Sequence, residues 1–258
     1  VGSKGYVMVG GGKYSWLSYL VIKQLRATGS KLPVELFIPG KSDYDANFCE
    51  KILPKYNARC NVFDEKLAKS LETRFGIHGY QYKLLAFLSL NFENVLYLDS
   101  DGFPARNLDY MFEGELYTST GLVIWPDACA RTTNPKFYEI AGLTVEEKRI
   151  RFTSGKDAED PERDTKHWDF TNANYHDFKG TIPDPSSETG ILLFNKTKQL
   201  RTMLLTLYYN VFGPQHYYPL LTQGSAGEGD KDTFIAAAVV LDEPWFQTLK
   251  QFAWIGYH

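Results

Sequence analysis

Apolar residues follow two rhythms along the first part of this chain. Tyr6–Val9, Val34–Ile38, Ala58–Phe63 and Val95–Leu98 are short runs with β-branched or aromatic members, bounded by Gly, Pro, Asn or Asp. Such runs read as strands. Between them, Tyr14–Ala27, Tyr44–Leu53 and Gln81–Leu90 carry apolar residues three and four apart, as a helix with one buried face requires. Pro39-Gly40 closes the second strand and Pro54 the second helix. Strands alternating with helices predict an α/β fold with a parallel, doubly wound first half. That half, 1–101, reads as Rossmann-like and nucleotide-binding.

Past residue 101 the rhythm loosens. Gly121–Trp125 and Thr189–Phe194 read as strands, and Thr197–Val211 and Asp230–Val240 as helices. Between the strands, Phe152–Pro185 is polar, charged and dotted with Pro and Gly, the character of a functional lid or an insertion. No repeat divides the chain. A single continuous domain over 1–258 is expected, with a variable insertion at about 152–185.

The apolar run Asn94-Val-Leu-Tyr-Leu ends in Asp99-Ser-Asp101. In open α/β sheets ligands collect beyond the carboxyl ends of strands. Strand alternation would send Asp99 and Asp101 to one side, where two carboxylates repel unless a cation lies between them. Oxygen-only ligands suit Mg²⁺ or Mn²⁺, ions that usually carry substrate phosphates. The competing interpretation is a solvated acidic turn. Lys83, on the helix leading into this strand, is placed to reach such phosphates or else to sit in solvent. Gly10 and Gly11, in Gly10-Gly-Gly12 after the first strand, would let backbone amides approach an anion, but they lack the phosphate-loop spacing and read equally as a plain turn.

A second acidic cluster, Glu228, Asp230 and Asp232, lies in Gly227-Glu-Gly-Asp-Lys-Asp-Thr233. Helix capping explains one of these acids and leaves the others for function. Glu188, opening the strand of Ile191–Phe194, would point a carboxylate into the same cleft.

Composition narrows the partners. With 43% hydrophobic and 23% charged residues and a net charge of −3, the chain is an ordinary globular protein. Nothing in that balance suggests nucleic acid or a membrane surface as partner. No stretch reaches the roughly 20 apolar residues of a transmembrane helix, and no signal peptide precedes Tyr6. The chain stops on the apolar Phe252–His258, which suggests that the natural protein continues. Three cysteines allow one bridge, Cys49–Cys60, or free buried thiols. Asn195-Lys-Thr197 is a formal glycosylation sequon, and none of the five histidines has a metal-site partner in sequence.

These motifs together carry a resemblance. Tyr82-Lys-Leu with Asn94–Asp101 resembles the helix–strand–DxD signature of GT-A glycosyltransferases. Trp125-Pro-Asp127, Glu188–Lys196, Tyr208-Tyr-Asn210, Tyr217–Leu221 and Gly227–Phe234 are similar to the fungal Golgi α-mannosyltransferases that branch mannan, glycosyltransferase family 71. The resemblance runs from about Gly5 to His258. It implies a GT-A fold whose second half, 102–258, binds acceptor. It implies a retaining transfer of mannose from GDP-mannose to a mannose-containing glycan in α-1,2 or α-1,3 linkage. It also implies a Golgi-lumenal catalytic domain of a type II membrane protein, with the anchor outside this sequence; oligomerisation is left open. Mn²⁺ (or Mg²⁺) would be held by Asp99 and Asp101, with His258 a candidate third ligand, and Ser100 would join them at the donor. Glu188, Asp230 and Asp232 are the catalytic candidates. Trp125, Asp127, Tyr217 and Glu228 are candidates for the acceptor, with Trp168 and Tyr218 for further stacking. Two rivals stand beside this expectation. One is a haloacid-dehalogenase-type phosphatase, whose nucleophile motif Asp99-Ser-Asp-Gly102 loosely matches. The other is a non-catalytic subunit that binds nucleotide-sugar or glycan.

Overall fold

In the computed structural model, residues 2–151 and 173–248 are described. The first half builds the expected βα units. Strand β1 (Lys4–Val9) leads through a 3₁₀ turn into α1 (Ser15–Ala27), followed by β2 (Val34–Ile38) and β3 (Ala58–Val62). Helices α2 (Glu65–Phe75) and α3 (Tyr82–Ser89) then precede β4 (Asn94–Leu98). β1 pairs in parallel with both β2 and β4, and β2 with β3. Two elements differ from expectation. Asn47–Ile52 forms a π-helix and Leu53–Tyr56 a 3₁₀ turn in place of one regular helix. Helix α2, unforeseen, starts at Asp64, whose carboxylate accepts from the Leu67 amide at 2.8 Å, and ends at Gly76 with φ of 64°.

The second half makes the sheet mixed rather than parallel. It contributes α4 (Glu115–Thr120), β5 (Leu122–Pro126), α5 (Pro135–Ile140) and β6 (Ser187–Asn195). Helices α6 (Leu200–Val211), α7 (Tyr218–Thr222) and α8 (Thr233–Val240) follow, then the short β7 (Phe246–Gln247). The strand order is β3-β2-β1-β4-β6-β5-β7, with β6 antiparallel to both β4 and β5. β6 thus lies against the strand that delivers the acidic pair, and its start reaches the C-terminal end of β4: Leu98 pairs with Ile191 and the Asp99 amide donates to Gly190 O at 2.8 Å.

Alternation along β4 divides the core. Val95 and Tyr97 pack with Phe87 of α3, Tyr209 of α6 and Phe234 of α8 on one face. Leu96 and Leu98 pack with Val21, Ile22 and Leu25 of α1 on the other. Both faces of the central strands are therefore covered, which is why these strands are apolar throughout. Among the described residues no helix is long and apolar enough to cross a membrane.

Candidate functional site

The acidic pair lies where β4 stops. The chain does not continue as an alternating strand past Leu98; it turns, with the Gly102 amide donating to Asp99 O at 2.9 Å. That turn, not strand alternation, brings Asp99 and Asp101 to the same opening. Two cavities meet there. One, of about 730 Å³, is lined by Gly10, Gly11, Tyr80, Lys83 and Ser100 as well as both acids. The other, of about 640 Å³, is lined by both acids again with Gly190 and Glu188. Asp99 and Asp101 form the threshold between them.

Beneath this threshold lies a network that the sequence did not announce. Lys83 is buried, and its Nζ donates to Thr189 O at 2.9 Å and to Asp230 Oδ2 at 3.0 Å, with Asp99 Oδ1 at 3.8 Å. The ammonium also stands 5.0 Å from the Tyr97 ring centroid, and the Tyr97 hydroxyl donates to Asp99 Oδ1. Burial opposes the lysine charge, but Asp230, Asp99 and Glu188 outweigh it and hold the ammonium above the usual lysine range. Burial pushes the Asp230 carboxyl above the usual carboxylate range even with Lys83 beside it. Burial, followed by the Asp99 charge and hydrogen bond, drives the Tyr97 phenol well up, so it remains a donor. Lys83 thus lies at the floor of the first cavity, engaged under the acids, where it positions Asp99.

Glu188 stands at the mouth of the second cavity. Its carboxylate accepts from the Gly190 amide, and a Cβ placed on Gly190 would lie 2.7 Å from Glu188 Oε1 and 3.2 Å from Asp99 Oδ2. A larger residue there would have to displace one of the two carboxylates. Desolvation by the cavity wall raises the Glu188 carboxyl, and Asp127 and Asp99 add to it.

The remaining candidates separate. Asp232 is buried against Arg131 at 2.8 Å and accepts from the Ser187 amide at 2.9 Å and the Ser186 hydroxyl at 3.0 Å. Its charge holds the start of α8 to the start of β6 and faces neither cavity. Glu228 is taken up inside its own loop, accepting from Thr222 Oγ1 at 2.8 Å and the Gly224 amide at 2.9 Å. Asp127 pairs with Lys231 at 2.8 Å. Tyr217 stacks in an aromatic group with Tyr209, centroids 4.5 Å apart, and lines neither cavity. Trp125 is half-buried on β5, opposite Glu188 across a register shift. His258 and Trp168 lie outside the described residues, as does most of the insertion. The sequon side chain is occupied: Asn195 Nδ2 donates to Asn94 at 2.9 Å. Cys49 and Cys60 are bridged.

Tests of metal fit turn on donor chemistry. Among the described residues no three His, Cys, Asp or Glu side chains form a metal cluster. Two carboxylates at a cavity threshold still suit a hard divalent ion that takes its other oxygens from a diphosphate and water.

Comparisons with known proteins agree with this layout. Residues 3–258 match the family described as "Mannosyltransferase putative". Alpha-1,2-mannosyltransferase MNN2 of Candida albicans is 64% identical over 99% of this chain, and MNN2 of Saccharomyces cerevisiae 47% over 98%. The chain spans less than half of these relatives, 44% and 43% of their lengths. A crystal structure of an active-site mutant of LgtC superposes with a TM-score of 0.52 over 94% of this chain and 72% of that one, at 12% identity, a likeness of fold alone. The chain belongs to that mannosyltransferase family and carries a GT-A-type glycosyltransferase fold.

Proposed function

We propose that this site transfers mannose from GDP-mannose to a mannose-containing glycan, forming the α-1,2 linkage in its relatives' names. The observation that carries the reading is the place of Asp99 and Asp101, which line both cavities. A nucleotide in the cleft of Gly10, Gly11 and Tyr80 brings its diphosphate to the acids, and the sugar then projects toward Glu188. Asp99 and Asp101 would hold Mn²⁺ or Mg²⁺, which supplies positive charge for the departing diphosphate. Tyr97 and Lys83 fix one oxygen of Asp99, leaving the other toward the sugar side.

Retention of configuration requires attack on the face from which GDP departs, or two displacements through an enzyme carboxylate. In the single step the acceptor oxygen bonds the anomeric carbon as the sugar–phosphate bond breaks. Its electron pair leaves with GDP, and the acceptor proton passes to the departing phosphate oxygen. Glu188, the acid at the sugar-side mouth, stabilises positive charge developing on the ring. Asp230, sealed against Lys83, acts through that lysine instead of touching sugar. The Cys49–Cys60 bridge supports an oxidising compartment, in keeping with a Golgi-lumenal domain anchored by sequence outside this one.

Calorimetric titration of GDP-mannose, GDP and UDP-glucose with and without Mn²⁺ tests the reading. Guanine ligands should bind only with Mn²⁺, and Asp101→Ala should abolish that dependence. Glu188→Gln should keep donor affinity while lowering transfer by about a hundredfold or more. Metal-independent binding, or full transfer by both variants, would sink the proposal.

A further inference from the structure

The nucleotide end of the first cavity holds a carboxylate that no part of the mechanism uses. Asp43 closes the short 3₁₀ turn Lys41–Asp43 after β2, and its amide donates to Gly40 O at 3.1 Å. It is half-buried and lines the same cavity as Asp99 and Asp101. Among the described residues its side chain makes no hydrogen bond and no ion pair. The β1–α1 turn packs closely against it. A Cβ on Gly12 would stand 2.6 Å from Asp43 Oδ1, and one on Gly11 would stand 3.1 Å from the Asp43 Cβ. Both glycines have positive φ, 95° at Gly11 and 50° at Gly12. Tyr14, Pro39, Tyr80 and Tyr82 line the cavity with it.

We propose that Asp43 reads the base of the donor nucleotide and selects guanine through its adjacent N1–H and 2-amino donors. This rests on the donor site proposed above. Flat rings offer a purine its stacking surface. Two coplanar carboxylate oxygens match two neighbouring N–H donors, as they match a guanidinium. Adenine presents an acceptor at the corresponding ring nitrogen, and uracil a single N–H between two acceptors, so neither can satisfy both oxygens. Position agrees with this chemistry. β2, β1 and β4 are successive neighbours in the sheet, and two strand spacings put the end of β2 roughly 10 Å from the end of β4. That span suits a purine edge at Asp43 with its diphosphate at Asp99 and Asp101.

Titration of GDP, IDP, XDP and UDP into the wild type and Asp43→Asn, with Mn²⁺ present, tests the assignment. IDP lacks the 2-amino group and should bind the wild type about tenfold more weakly than GDP. Asparagine offers one acceptor and one donor, which matches the N1–H and 2-oxo of xanthine. Asp43→Asn should therefore lose about tenfold to a hundredfold in GDP affinity, prefer XDP over GDP, and bind UDP as before. A gain for XDP cannot come from misfolding. Equal losses for all four nucleotides, or a GDP-to-IDP ratio unchanged by the substitution, would overturn the assignment while the donor site stands. A wild type that binds none of the four would overturn the donor site and this assignment together.

Discussion

Lys83 marks the limit of reading residues one at a time. Its position on the helix before the acidic strand suggested a phosphate contact, and spacing alone could not separate that from a solvated lysine. The fold closes Thr189, Asp230 and Tyr97 around it, at the floor of the first cavity, and makes it the support of Asp99. A buried pair of this kind is costly to break, because the remaining charge has no partner. Lys83→Met should lower unfolding stability by about 3–5 kcal/mol, and adding Asp230→Asn should restore part of the loss. Denaturant titration of the two variants checks this. A single variant as stable as the wild type, or a double variant no better than the single, would contradict the network.

At the scale of elements, local pattern predicted existence well and boundaries less well. α1 and α3 begin within a residue of expectation, whereas α8 begins at Thr233, three residues later than the apolar pattern suggested. The reason is that Asp230 and Asp232 are drawn to Lys83 and Arg131, partners remote in sequence. The segment after β2 departs further. Pro54 has no amide to donate, and Cys49 is tied to Cys60 on β3, so Asn47–Tyr56 winds as π and then 3₁₀ helix. The bridge spans 11 residues, and loop entropy gives it about 3 kcal/mol. Replacing both cysteines with alanine should therefore lower stability by about that amount while leaving GDP binding intact, since the bridge lies outside both cavities. Calorimetric unfolding with a parallel GDP titration would show it; unchanged stability would mean the bridge does not constrain the unfolded chain.

At the scale of the whole molecule, the packing of the second half carries a pH signature. His176 is buried beside the loop that leads into β6, its Nδ1 3.0 Å from the Ile182 carbonyl. Burial, helped by the Arg131 charge, lowers its pKa to about 4 from the usual 6.5. The unfolded chain therefore takes up this proton first. Stability contributed by neutral His176 is whole above pH about 6.5 and is lost at about 1.4 kcal/mol per unit as pH falls toward 4. His176→Gln should flatten the stability–pH curve in that window, whatever its effect at neutral pH. Parallel slopes for variant and wild type would rule the histidine out as the source.

The sequence by itself determined six of the seven strands among the described residues, the parallel character of the first half, and the placing of the DxD motif at the end of β4, because these depend on hydrophobic period and on residues adjacent in the chain; the turn that orients the two acids came only with the fold. It also carried the family resemblance, which the comparisons support. It did not determine that β6 runs antiparallel beside β4, which brings Glu188 and Gly190 against Asp99, since pairing between strands so remote in sequence, Leu98 with Ile191 and Asn94 with Asn195, leaves no local trace. Nor did it separate Asp230, under the site, from Asp232, sealed into the core by Arg131 only two residues later. Their motif is one run of like residues, and only the partners that tertiary packing supplies give each carboxylate its surroundings and hence its chemistry.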